Sequence, residues 1–200
     1  MAWKPDYVTG SELREYISRS TETIDDEFLG IDATAASRAV DSHTHRQFGK
    51  TDAAQARVYE AHWDRRRRRW LAVIDDVMVN PSTVLNDDGA AITDFTLLPR
   101  NAEHKGKPWE VLMINPGSAV QPTGAERLLT ITADPWGWTA VPTSVKEATL
   151  MQGNRLHARR FSPYGIAGSP DQGSELRLLA RVDPDVAVTL RGFVRWWAAA

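Results

Sequence analysis

The sequence predicts an α+β chain: a small helical bundle with an inserted antiparallel β-region and a C-terminal amphipathic helix. Three observations carry this reading. Capping and proline signals open helices near residues 9, 23, 141 and 183; the hydrophobic period changes from helix-like to strand-like at about Ala54; and it returns to helix-like after Ala133. The helical body is therefore assigned to residues 1–53 and 134–200, and the inserted β-region to 54–133.

In chain order, Thr9-Gly10-Ser11-Glu12 fits a capping box with Val8 and Leu13 at the staple positions, which predicts a short helix from about Gly10 to Ser18. Thr23 and Asp26 repeat the pattern and open a longer helix running to Gly49. On it Phe28, Ala35 and Ala39 lie near one another, with Leu29, Ala36, Val40 and Phe48 adjoining. Short β-rich runs then follow at Arg57–Trp63, Trp70–Ile74, Val77–Val79, Thr83–Leu85, Phe95–Leu98, Trp109–Ile114 and Arg127–Thr132. Asn86-Asp87-Asp88-Gly89 is a tight-turn signal, because Asp-Gly readily supplies positive φ angles.

A long helix is predicted from about Val141 to Phe161, since Pro142 falls where the first turn has no intrahelical acceptor for an N–H. At 100° per residue, Val145, Ala148, Thr149, Gln152 and Leu156 share one face, whereas Leu150 and Phe161 point to the other. A second apolar patch needs a second cover, either the β-region or a neighbouring subunit, so Leu150 and Phe161 are the candidate subunit-interface residues. After the loop GIAGSPDQGSE, Asp183 as N-cap with Pro184 behind it starts the last helix. Val186, Leu190, Phe193, Val194 and Trp197 are read as a single apolar face, with Arg191 and Arg195 opposite.

Composition narrows the function. With 42% hydrophobic and 25% charged residues the chain is that of an ordinary globular protein, and its apolar runs are too short to span a membrane. The start MAWKPDYVTG lacks a basic stretch followed by an apolar one, which points away from export by a signal peptide. The absence of cysteine removes disulfides and thiolate metal sites. A net charge of −2 does not mark a dedicated polyanion binder, while eight tryptophans favour a protein with large contact surfaces.

No catalytic, cofactor-binding or metal-ligating set emerges. Asp41 and His45 share a helix face but His43 points away, so Asp41-Ser42-His43-Thr44-His45 reads as polar helix surface. Nucleophile-elbow, phosphate-loop and dinucleotide signatures are missing from the sequence, and Glu147 reads as a surface partner for Lys146 or another subunit. The sharpest charge feature is Arg65, Arg66, Arg67, Arg68 and Arg69, between Asp64 and Trp70. Five adjacent guanidiniums repel unless solvated or paired, which leaves three readings: a solvated hairpin tip, contact with an acidic surface of another subunit, or contact with a nucleic-acid backbone.

The succession of motifs adds a further expectation. Gly137, Trp138, Val141, Pro142, Val145 and Ala148 open the long helix; Arg159, Arg160, Phe161, Ser162, Pro163 and Gly165 close it; Asp183 to Val186 start the last one. In this order, with a β-region inserted upstream, the chain resembles the head-tail connector (adaptor) proteins of tailed bacteriophages. The resemblance covers most of the chain, although each motif is short and non-catalytic. It implies a structural virion protein of the head-tail neck, assembled in the host cytoplasm, with no enzymatic activity and no cofactor. It also implies a homo-oligomeric ring, commonly of twelve subunits, beneath the portal protein. Such a ring extends the channel for genomic DNA, without sequence specificity, and docks the next neck or tail-completion protein. In that setting Val186, Leu190, Phe193, Val194 and Trp197 are the expected portal-binding residues. Two other classes stay open: a virion decoration or carbohydrate-binding β-module presenting its tryptophans, and a nucleic-acid-binding regulator using Arg65 to Arg69.

Overall fold

Alternating burial along the middle of the chain resolves into one antiparallel sheet. A computed structural model describes residues 4–17, 26–160, 166–167, 176–177 and 182–195. Its strands are β1 (Gln55–Asp64), β2 (Arg69–Val77), β3 (Thr83–Asn86), β4 (Phe95–Leu98), β5 (Trp109–Ile114) and β6 (Leu128–Ala133), in the spatial order β3-β6-β1-β2-β5-β4. The two long strands β1 and β2 form a hairpin paired at Ala61↔Ala72 and Trp63↔Trp70, while the first half of β1 pairs with β6. β1 thus changes partner midway, as a strongly bent central strand does. The run Val77–Val79 is not a separate strand: β2 continues through Val77 by way of a register shift after Val73.

Within the sheet every second residue of β6, Leu129, Ile131 and Ala133, is buried, as the period of two requires. They join Ile74, Val77, Val84, Leu112, Ile114 and Trp136 in one apolar core. Asn86 builds the turn after β3, its Oδ1 accepting from the N–H of Asp88 (3.1 Å) and of Ala90 (2.8 Å), while Gly89 takes φ 76°.

The chain divides into two compact units, residues 49–140 with Lys4, and residues 5–48 with 141–200. These limits lie outside the 54 and 133 expected from periodicity, because the segments flanking the sheet are clasped into its unit. Thr51 N–H donates to the Trp136 carbonyl (2.9 Å), Trp136 N–H to Thr51 Oγ1 (2.9 Å), and Trp138 N–H to the Gly49 carbonyl (2.9 Å). Gly137 between them has φ 96°, and a Cβ there would overlap the Gly49 carbonyl, so glycine is required.

The other unit contains α1 (Gly10–Ile17), α2 (Asp26–Thr44), α3 (Thr143–Arg160) and α4 (Pro184–Leu190). The capping box forms as the sequence predicts: Glu12 N–H donates to Thr9 Oγ1 (3.1 Å) and Thr9 N–H to Glu12 Oε2 (2.7 Å). The accepted Thr9 N–H holds the Glu12 carboxyl below its ordinary pKa. Val8, Leu13, Leu29 and Ala33 form a buried cluster, and Gly153 of α3 gives Leu13 room, since a Cβ there would lie 2.9 Å from a Leu13 methyl carbon.

α2 buries Leu29, Ala33, Ala36 and Val40 but leaves Phe28 46% exposed, so its core face is the set adjoining Phe28, Ala35 and Ala39. It also stops at Thr44 rather than Gly49, because His45 turns the backbone to φ 53°. Its middle also holds the N-terminal segment: Tyr7 N–H donates to Ser37 Oγ (3.0 Å) and Arg38 Nη2 to the Pro5 carbonyl (2.6 Å). Two further short strands, β7 (Ile166–Ala167) and β8 (Leu176–Arg177), pair antiparallel.

Candidate functional site

The arginine run occupies the tip of the β1–β2 hairpin. Residues 65–68 form the turn, and Asp64 organises it: Oδ1 accepts from the N–H of Arg66 (2.9 Å) and of Arg67 (3.1 Å), and Oδ2 lies 3.7 Å from Arg67 Nε. Arg68 completes the reversal at φ 54°. Arg65, Arg66, Arg67 and Arg68 are all exposed, as mutual repulsion demands. Arg69, the first residue of β2, is half-buried; its Nη1 contacts Met113 Sδ (3.3 Å), and its Nε is buried with no hydrogen-bond partner.

The hairpin register Trp63↔Trp70 places two indoles side by side, edge to face, with centroids 5.2 Å apart. The Arg127 guanidinium lies over the Trp70 ring at 5.0 Å. Trp63 keeps 46% of its surface exposed. Together Trp63, Trp70, Arg67, Arg68 and Arg69 form one wall of an open cleft of about 830 Å³. Ile114 and Pro116 line it from the end of β5. The loop beyond them is held by Gln121, whose Nε2 donates to the Ser118 carbonyl (2.8 Å) and whose carbonyl accepts from Asn86 Nδ2 (3.2 Å). Guanidiniums beside indoles suit the binding of an anionic or planar group, and the lining includes no carboxylate, imidazole or thiol for proton transfer. Sequence reasoning found the arginines but missed the indole pair; the signal was the Trp-Asp spacing before the run and the Trp directly after it, which a six-residue hairpin end brings opposite each other.

The other predicted site residues are placed differently. Leu150 is half-buried and packs against the Val8–Leu13–Leu29–Ala33 cluster of its own unit. Phe161 lies outside the described residues. Val186 and Leu190 are fully buried within their own unit, so at these two positions the apolar face expected to reach a portal is taken up by the helical core. Phe193 is half-buried with its ring edge-on to Phe48 at 5.7 Å, its carbonyl accepting from Arg46 Nε (2.6 Å); Val194 is also half-buried, and Trp197 lies outside the described residues. Among the described residues the single face read from Val186 onward is interrupted, because α4 ends at Leu190. The chain continues as a 3₁₀ turn through Arg191–Phe193 and is extended at Val194, which carries Arg195 inward rather than opposite.

Three other polar clusters are structural. Asp41 accepts from the Tyr7 hydroxyl, which in turn accepts from the Phe48 N–H (3.0 Å); burial and the carboxylate push the Tyr7 hydroxyl well above its ordinary pKa. Tyr59 is raised likewise, by burial first and then by Asp75, to which its hydroxyl donates over 2.9 Å. Buried Asp32 of α2 is met by His157 Nδ1 (3.2 Å) and Arg160 Nη2 (2.9 Å) of α3, a cluster the sequence did not disclose. Among the described residues no group of three or more histidine, aspartate or glutamate side chains is arranged to hold a metal ion, and no helix is long and apolar enough to cross a membrane. No protein-family model matches the chain, and no curated protein matches it.

Proposed function

We propose that this chain is a structural, non-catalytic head-to-tail adaptor of a tailed bacteriophage, assembling as a ring beneath the portal, extending the DNA channel and docking the next neck or tail protein. The observation that supports the reading most is the insertion itself. The chain leaves the helical unit once, at 48/49, and returns once, at 140/141, with a six-stranded sheet between. The return passes through Gly137 and Trp138, two of the residues that carry the resemblance. In this reading α1 to α4 are the small helical bundle of the ring wall and the sheet is its insertion.

A ring requires heterologous contacts between two different faces of each subunit. With Val186 and Leu190 buried, the portal contact falls on the outer surface of α4, where Val188 is 73% exposed, and on the sequence that follows it. The arginine tip offers genomic DNA, or an acidic neighbour, a sequence-independent electrostatic contact. Negative-stain imaging of the purified protein with and without a portal tests the reading. Closed rings bound to the portal are the expected result; particles that stay monomeric and unattached in its presence overturn it.

A further inference from the structure

We infer that the cleft beside the β1–β2 hairpin tip is a binding site for single-stranded nucleic acid, with an unpaired base stacked on Trp63 and the flanking phosphates held by Arg67, Arg68 and Arg69. The inference does not rest on the adaptor reading, and it narrows the chemistry that the arginine run alone left open.

Each feature of the cleft removes an alternative. A ligand that is only anionic accounts for the guanidiniums but leaves Trp63, with 46% of its surface open, without a role. A purely apolar ligand would be set against four exposed guanidiniums. Duplex DNA presents phosphates to the tip, yet its base faces are stacked inside the helix and cannot reach an indole. An unpaired strand combines what the site offers, a planar π-face and a negative charge at every nucleotide.

The geometry is also selective within the indole pair. Trp70 has Arg127 over its ring at 5.0 Å and stands edge-on to Trp63, which leaves Trp63 as the open platform. The cleft volume, about 830 Å³, lies in the range of small-ligand clefts, roughly 300–1,000 Å³. Asp64, the one carboxylate in the Asp64–Arg69 run, has Oδ1 on the backbone N–H groups of Arg66 and Arg67 and Oδ2 3.7 Å from Arg67 Nε, an exposed pair that a phosphate would compete with, while Arg68 and Arg69 are not paired with it. The buried Nε of Arg69 is a donor still lacking an acceptor. A phosphate oxygen is a suitable one.

The test is fluorescence anisotropy of a labelled oligothymidylate, a duplex of equal length, and an acidic peptide containing tryptophan, each titrated with the full chain over a range of salt. The oligothymidylate is expected to bind most tightly. Trp63→Ala should weaken it roughly 5- to 150-fold, the effect of losing one base stack, while Trp63→Phe retains most of the binding. The double variant Arg67→Ser/Arg68→Ser should reduce the salt slope by about 1.4, two phosphate contacts on a single strand. Unchanged thermal melting of the Trp63 variants keeps the comparison valid, since the residue is on the surface; if Trp63→Ala melts lower, Trp63→Phe against Trp63→Leu at equal stability reads the stacking instead. Tighter binding of the duplex with no effect of Trp63→Ala overturns the inference in favour of a backbone contact. Tighter binding of the acidic peptide overturns it in favour of a protein partner, and no binding of any probe overturns it outright.

Discussion

The indole N–H of Trp138 donates to Asp76 Oδ2 over 2.8 Å, a buried hydrogen bond between residues 62 positions apart. Gly137 N–H donates to the Asp76 carbonyl over 2.7 Å, so one residue of β2 holds both the side chain and the backbone of the segment that leaves the sheet. Trp138→Phe deletes the donor and, with it, part of the indole at a buried position. A hydrogen bond to a charged group contributes about 1.5–3 kcal/mol, and the lost ring atoms add a cavity cost, so a loss of at least this size is expected in urea unfolding. Hydrogen exchange localises it: the amides of Gly137 and Trp138 should exchange faster while those of α2 are unchanged.

Tyr7 ties the N-terminal segment to the end of α2, donating to Asp41 and accepting from the Phe48 N–H. Tyr7→Phe removes a hydroxyl that takes part in both bonds and is expected to cost about 1–3 kcal/mol near neutral pH. The pH dependence has a definite sign. The folded-state pKa is raised above the ordinary value of about 10, so the neutral hydroxyl's contribution is fully present below pH 10 and is lost as pH rises beyond it. Unfolding followed from pH 8 to 12 should show wild type losing stability above pH 10 more steeply than Tyr7→Phe. Parallel profiles would remove Tyr7 as the cause.

α4 separates a core role from a docking role on neighbouring residues. Leu190 is fully buried, whereas Val188 is 73% exposed. Leu190→Ala should destabilise the chain by about 2–5 kcal/mol, as buried leucine truncations do. Val188→Asp should change stability by less than about 0.5 kcal/mol. If the outer surface of α4 meets a portal, the Val188 variant loses portal association in co-sedimentation while keeping its wild-type melting temperature. Portal binding at wild-type strength by Val188→Asp would place the contact elsewhere.

The features legible from sequence are those set by a few adjacent residues. Thr9 and Glu12 form their reciprocal cap because the box brings donor and acceptor within one turn. Asp183 caps α4 through the Asp185 N–H for the same reason. Leu129, Ile131 and Ala133 alternate inward because the strand period is two, and Val145, Ala148, Thr149 and Gln152 share the buried face of α3 because the helix period is 3.6. The mixed α+β class follows from these periods alone.

Tertiary structure decided what depends on partners far along the chain. Several strands alternate equally well, and only the joint burial of their inner faces selects the order β3-β6-β1-β2-β5-β4. Periodicity has no term for the clasp between Gly49–Thr51 and Trp136–Trp138, which joins both flanking segments to the sheet unit. The apolar stripe from Val186 onward looks the same in sequence whether it meets a portal or its own core. The fold buries Val186 and Leu190, which removes their apolar surface from water without a second molecule. The arginines at 65–69 were visible as charge, but their pairing with Trp63 and Trp70 into one cleft exists only because the β1–β2 register sets the two indoles opposite each other across the turn.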